Sequence, residues 1–362
     1  MQEPSVIELF FALIRCGIGK DNKLPYTPTG EDWNELFEIA KKQTMLGIAF
    51  AGIERIPQEQ RPPRNIILQW YTVCEIIKKK NTELNRRCAI ISEKFRSEGF
   101  RNCILKGQGL AALYPNPQLR MPGDIDIWLE GGSEKILAYV RKFIPNVKPV
   151  YHHVDFPITK DAEIEIHFTP SWMYSPINNK RLQKYINNNA AVQFKNIIET
   201  PEGRFPAPST AFNRIYILLH IYRHLFQEGI GLRQMLDYYF VLQQGFTEEE
   251  RLETLKTLKQ LGLQRFAAAT MYVLKTIFDI EDKNLLLPAN SKDGKFLLNE
   301  IMTAGNFGKH DSRYKLVDKE HETAHFFNSM KRIMRLTTRY TSETLWSPYF
   351  KIWHYFWRKK RE

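Results

Sequence analysis

The sequence predicts an α+β fold, a small mixed β-sheet core between a helical N-terminal and a helical C-terminal region. Three observations lead there. Long stretches free of Pro and Gly, with apolar residues at helical spacing, occupy both ends of the chain. Between residues 100 and 206 the texture turns to short apolar strands broken by Gly, Pro and Asp. Inside that block, Asp124-Ile125-Asp126-Ile127 alternates acid and apolar residues, as a half-buried strand does. The expected division is 1–99, 100–206 and 207–362.

Taken in order, Ser5 is placed to cap a helix through Arg15. Trp33, Leu36, Phe37 and Ala40 mark a second helix over Glu31 to Lys42. Arg61-Pro62-Pro63 breaks the chain, and Asn65 to Glu98 then runs without Pro or Gly, enough for one extended helix or two, until Gly99 ends it. Asn102 to Leu105 reads as a strand, and Lys106-Gly107-Gln108-Gly109 as a turn opening a helix through Leu113. Asp124 to Leu129 is the next strand, and Gly131-Gly132-Ser133 caps a helix through Phe143. Val147 to Ile158 and Ala162 to Phe168 are two further strands joined by a turn at Thr159-Lys160-Asp161. Helices are expected over Phe212 to Phe226, Gly231 to Leu242, Thr247 to Leu261, Arg265 to Phe278 and Lys331 to Arg339.

A chain of 362 residues with 43% hydrophobic and 25% charged residues has ordinary globular composition, which argues against disorder and fibrous classes. No apolar run reaches the length of a spanning helix, and Glu3 and Glu8 do not suit a signal peptide. Cys16, Cys74, Cys88 and Cys103 are scattered, which suits buried thiols in a reducing compartment; a cytoplasmic location is expected. The net charge of +12 either attracts nucleic acid, nucleotides or anionic lipid, or only confers solubility. The closing aromatic-basic run around Trp353 to Arg361 either binds a membrane surface or nucleic acid, or packs its aromatics on its own domain; the second reading is preferred.

Side chains on a strand alternate, so Asp124 and Asp126 share one face while Ile125 and Ile127 face the core. Two carboxylates on one face repel unless a cation lies between them. A divalent cation, Mg²⁺ or Mn²⁺, takes hard oxygen ligands and leaves positions open for substrate phosphates. Glu163, Glu165 and His167 share a face of the following strand, and the simplest geometry sets Glu165 beside the two aspartates, as third ligand or as base for an attacking hydroxyl. The glycines of the preceding turn let backbone approach a phosphate, with Lys106 and Arg120 as candidate phosphate contacts. A bare D-x-D also decorates solvated strands and metal-dependent glycosyltransferases, but the latter do not call for a Lys-Gly turn upstream. Trp128 excludes an EF-hand, because it stands where the third oxygen ligand would be.

The run LKGQGLAALYPNPQLRMPGDIDIWL resembles the signature of a family of uncharacterised bacterial nucleotidyltransferases, within the DNA polymerase β-like nucleotidyltransferase superfamily. The strand Tyr151-His152-His153-Val154, the strand Glu165-Ile166-His167 and the segment Leu218 to Tyr239 are similar as well, so the resemblance covers Ile90 to Leu242. It implies that Asp124, Asp126 and Glu165 are metal ligands and catalytic carboxylates. It also implies that Gly107 is the glycine of the phosphate-binding turn, beside which Lys106, Gln108, Arg120 and Gly123 are candidate nucleotide or phosphate contacts. The wider superfamily commonly reads Gly-Ser in the turn; here Lys106-Gly107-Gln108 stands instead. His220 and His224 are spaced i and i+4, as are Arg233 and Asp237. These four either line a cleft opposite the metal or form a buried network joining helices. His153 and His167 are cleft residues or orienting groups.

The activity implied is Mg²⁺- or Mn²⁺-dependent transfer of a nucleoside monophosphate from an NTP to an acceptor: a small molecule, a protein or RNA. The alternatives are a non-catalytic nucleotide-binding module of the same fold, and an RNA-modifying or toxin-like transferase suggested by the basic charge.

Overall fold

A computed structural model describes residues 5–157, 162–314 and 322–359. The expected turn at Thr159-Lys160-Asp161 and the basic residues Lys360 and Arg361 lie outside the described residues.

The N-terminal helices are α1 (Val6–Gly17), α2 (Gly30–Lys42), α3 (Leu46–Arg55) and α4 (Arg64–Ser97). Ser5 caps α1 with a reciprocal Glu8 capping box, and Thr29 with Asp32 does the same for α2. The long breaker-free stretch is one helix, α4, which starts directly after Pro63. The middle of the chain holds β1 (Asn102–Leu105), α5 (Gly107–Ala111), β2 (Ile125–Leu129), α6 (Gly132–Val140), β3 (His153–Asp155) and β4 (Ile164–His167). Then come α7 (Pro176–Gln193) and a hairpin of β5 (Ile197–Thr200) and β6 (Gly203–Pro206). The C-terminal helices are α8 (Thr210–Gln227), α9 (Leu232–Gln243), α10 (Glu248–Gln260), α11 (Gln264–Phe278), α12 (Ser291–Ala304), α13 (Glu322–Leu336) and α14 (Thr341–Lys359).

The fold is α+β, with a four-stranded sheet in the order β1-β2-β4-β3. β2 and β4 run parallel, and the other neighbours are antiparallel. Ile125, Ile127, Ile164 and Ile166 join a core with α4 and α6 residues such as Phe95 and Ile136. Trp128, on the opposite face of β2, joins a larger core that also holds residues of α1 to α4 and α8 to α12. On β2 and β4 the alternation therefore puts the isoleucines in one core and turns Asp126, Glu165 and His167 to the opposite face.

The strand expected over Val147 to Ile158 shrinks to His153–Asp155. Pro149 cannot donate to a ladder, and the Val150 amide instead bonds back to the His153 carbonyl, which turns the chain before the strand begins. Helix α7 was not legible, because its Asn-rich run carries few apolar positions: its buried residues are Asn178, Leu182, Ile186 and Gln193. Ser175 caps it and Pro176 supplies its first turn.

One close approach fixes the approach to β2. A side chain at Gly47 of α3 would land on the Leu119 carbonyl oxygen. Gly47→Ala is expected to lower stability by about 2–3 kcal/mol, the cost typical of forced overpacking. Denaturant unfolding measures this; an unchanged midpoint would show that α3 and the Leu119 segment are not pressed together.

Candidate active site

The register of β2 and β4 sets Asp126 opposite Glu165 and Trp128 opposite His167. Asp126 is 1% exposed, and both its oxygens are engaged: His167 Nε2 lies 2.7 Å from Oδ1 and Lys106 Nζ 2.9 Å from Oδ2. His167 Nε2 is also 3.3 Å from Glu165 Oε2. Asp126, Glu165 and His167 bring one ligand atom each within 4.8 Å of one another, as a metal site requires. His153 Nδ1 lies 3.6 Å from Glu165. His152, His153 and His167 form a second such group, and His153, Asp155 and Glu165 a third.

Asp124 sits just before β2 and is open to water along the cavity it lines. Repulsion from Asp126, more than the crowding of the cavity walls around it, pushes its carboxyl up to about 6. Burial works against the Asp126 charge, but Lys106 and His167 outweigh it and hold that carboxyl far below the ordinary range. Burial also opposes the His167 imidazolium, yet its hydrogen bonds to Asp126 and Glu165 raise its pKa. For Glu165, burial is again outweighed, first by the His167 hydrogen bond, so it is held below its ordinary value.

Lys106 ends β1 with φ +49° and ψ −143°, a conformation that a residue with a Cβ rarely adopts. Such backbone is held by its surroundings and costs about 1–3 kcal/mol. Here it aims the ammonium at Asp126. Gly107 follows with φ +34°, close to the Asp124 carbonyl.

The cavity has a volume of about 560 Å³. Lys106, Gly107, Gly123, Asp124, Asp126, Glu165 and His167 line one side. His220, His224 and Arg233 line it from α8 and α9. Arg233 donates to the carbonyls of Met121 and Pro122 at 3.1 and 3.3 Å, so it braces the backbone that leads into Asp124.

Two candidate residues do something other than their position suggests. Gln108 is buried and donates to Asn85 of α4 at 2.5 Å, so its side chain ties the turn to α4 instead of facing phosphate. Arg120 is 4% exposed and spends its guanidinium on Asp237, at 2.7 and 2.8 Å, and on the Met121 carbonyl at 3.3 Å. Tyr114 donates to the same Asp237 at 2.7 Å. Of the two readings of the helical polar residues, His220, His224 and Arg233 line the cavity, and Asp237 does both, lining it together with Arg120 while holding that guanidinium in a buried pair.

Sequence reading missed one wall. Helix α14 lays Phe350 flat on Trp172, with ring centroids 4.2 Å apart, and Lys351 and His354 reach the cavity. His354 Nε2 accepts the Tyr151 amide at 3.1 Å. Arg223 of α8 lies over the other side of this cluster, 4.7 Å from the Trp172 ring. The i+3 spacing from His220 to Arg223 and a lone lysine in the aromatic run of α14 were the available signals. The aromatics of α14 pack on Tyr151, Trp172 and Tyr174, which lie in the 100–206 block and not in the C-terminal region, while Tyr349, Ile352 and Phe356 are exposed.

A carboxylate pair on parallel neighbouring strands, beside a glycine turn and facing one cavity, defines a nucleotidyltransferase-type fold. The chain belongs to a family described as uncharacterised nucleotidyltransferase, whose model matches residues 29–279. That span is wider than Ile90 to Leu242, where the motifs lie. Among solved structures it is similar to an antigenic nucleotidyltransferase-like protein from Paracoccidioides brasiliensis, at 10% identity over 56% of this chain and 98% of that chain, with a TM-score of 0.31. No curated protein matches the sequence. Among the described residues no helix is long and apolar enough to cross a membrane.

Proposed function

We propose that this protein transfers a nucleoside monophosphate from an NTP to an acceptor, with a divalent cation held by Asp124, Asp126 and Glu165. The observation that carries the reading is the pairing of Asp126 with Glu165 across two parallel strands, with Asp124 two residues upstream on the cavity side.

Asp126 and Glu165 fit such a cation, since with His167 their ligand atoms lie within 4.8 Å of one another, while Asp124 stands outside that group and would have to swing in from the cavity side. The donor set is rich in carboxylate oxygen, which suits Mg²⁺ or Mn²⁺. The repulsion that raises the Asp124 pKa is what a cation between the carboxylates would remove. The Lys106 ammonium on Asp126 marks where positive charge is favoured. When bound, the ion would neutralise charge on the phosphoryl oxygens. Lys106 then exchanges its contact with Asp126 for a donor phosphate. Gly107 and Gly123 keep the backbone open to that phosphate, and Arg233 holds the segment before Asp124. The acceptor hydroxyl oxygen bonds to the α-phosphorus as the bond to pyrophosphate breaks, pyrophosphate leaves and the proton goes to solvent; Glu165, held ionised below its ordinary range, serves as a cation ligand.

The decisive experiment is incubation with each labelled NTP, Mn²⁺ and a cell extract. A labelled product identifies donor and acceptor together. NTP binding by calorimetry with no product from any extract would instead favour the non-catalytic module, a reading supported by the Lys106 contact on Asp126. No label on bulk tRNA would count against the RNA-modifying reading.

Metal binding should depend on pH through Asp124. Its pKa of about 6 means that a proton must leave before the carboxylate can ligate. Mn²⁺ affinity is expected to fall roughly tenfold from pH 7 to pH 5. Stability has the opposite sign. A carboxyl whose folded-state pKa is raised favours the folded state at low pH, and that advantage fades as pH rises from about 4 to about 6. Water reaches Asp124, so the stability effect is small. Asp124→Asn should leave the melting temperature unchanged or slightly higher while removing the pH dependence of Mn²⁺ binding. A titration that is flat across this range in the unaltered protein would refute the ligand role.

A further inference from the structure

Two cations in the cavity are unexplained by the site on the sheet. Arg223 is 9% exposed. Its polar contacts are Ser171 Oγ at 3.5 Å and His152 Nε2 at 3.3 Å, and its Nε is buried without a hydrogen-bond partner. Burial pulls its pKa down to about 10, while Glu228 and Glu165 act only at longer range. Lys351 bonds to Ser329 Oγ, and burial alone depresses its ammonium to about 8. Among the described residues neither forms an ion pair with a carboxylate.

The two come together through one aromatic cluster. The Arg223 guanidinium lies 4.7 Å from the Trp172 ring, Trp172 stacks on Phe350, and Lys351 follows Phe350 in α14. Both line the same cavity as the acids. Contact with an aromatic face offsets part of the cost of burying Arg223, but burying a cation without a counter-charge remains expensive. An anion at this wall would supply that counter-charge. Arg233 does not serve this wall, since its Nη1 is fixed on Met121 and Pro122 at the far side, next to Asp124.

We propose that Arg223 and Lys351 form a second anion subsite, which holds a phosphate or carboxylate of the acceptor while the NTP occupies the side of Gly107 and Arg233. The proposal rests on the transferase reading for its assignment to the acceptor. It narrows the acceptor to molecules that carry a hydroxyl and an acidic group. Lys351 lies beyond the matched family span of residues 29–279, so the subsite is completed by a helix outside it.

The test uses the full chain and two probes, inorganic phosphate and succinate, titrated by calorimetry. Each is titrated with and without saturating Mg²⁺ and a non-hydrolysable NTP analogue. At least one probe is expected to bind in both conditions. Lys351→Met and Arg223→Met should each weaken that probe at least about tenfold, as loss of a charge-assisted contact does, and Lys351→Arg should restore it. Phosphate alone, succinate alone, or both then defines the acidic group. Lys351→Met is expected to melt no lower than the unaltered protein, because it removes a half-buried cation that has no carboxylate partner among the described residues, so misfolding would not explain the loss. Binding of neither probe, binding indifferent to both variants, or displacement of the probe by the NTP analogue would overturn the subsite. If the analogue does not bind at all, the transferase reading fails separately, and the titration without it still decides whether the anion subsite exists.

Discussion

Asp126→Asn is expected to lower nucleotidyl transfer by at least about a thousandfold, and to destabilise the fold by about 3–5 kcal/mol. Both effects come from one position in the sheet. Asp126 is 1% exposed and meets Lys106, His167 and, across the strand pair, Glu165. Losing its charge removes a proposed cation ligand. It also leaves the Lys106 ammonium without its ion-pair partner in a pocket where burial already disfavours the charge. The two consequences separate in a double variant. Lys106→Met combined with Asp126→Asn should recover most of the stability and none of the activity. The coupling energy from denaturant unfolding of the four proteins measures the pair directly. If the double variant were no more stable than Asp126→Asn, Lys106 would not be the group that suffers. If Asp126→Asn kept full turnover, the carboxylate site would be misassigned.

Asp237→Ala should destabilise the protein by about 3–5 kcal/mol as well, although Asp237 sits on α9 and not on the sheet. Its two oxygens accept from Arg120 Nε and Nη2, and Tyr114 donates to one of them. Removing the carboxylate strands a guanidinium that is 4% exposed. The damage should extend to activity, because Arg120 stands four residues before Asp124 and its own carbonyl is held by Asn81 of α4 at 2.8 Å. We expect turnover to fall with little change in the KM for NTP, the pattern of a positioning group. Arg120→Met in the same background should regain stability, since both charged partners are then gone. A stable Asp237→Ala with normal turnover would show that the pair is dispensable and that β2 is aligned by other contacts.

The acids were legible because strand alternation is strict. Asp124-Ile125-Asp126-Ile127 and Glu163-Ile164-Glu165-Ile166-His167 announce which side of each strand meets the core, and the isoleucines are buried where that pattern puts them. The two histidines of α8 and Arg233 of α9 were legible as a face, though not as to what the face meets. For Arg120 and Gln108 the sequence suggested phosphate contact with no view of what lies behind them, although Arg120 does line the cavity. What lay behind Arg120 was Asp237, 117 residues later, and behind Gln108 it was Asn85 on α4.

The sequence by itself determined the carboxylate row and the glycine turn, because both depend on spacing within a few residues, where backbone periodicity sets side-chain direction. It also determined the helical character of both ends. Only the tertiary structure decided which charges pair. Lys106 on Asp126, Arg120 on Asp237, and Arg223 over Trp172 all join residues distant in the chain, and burial sets their energies. A charge on an exposed face costs little whatever its neighbours are, whereas the same charge in a closed wall must find a partner. Whether a wall is closed depends on helices packed against it from elsewhere in the chain, which is why α14, unassigned by any motif, carries one side of the cavity.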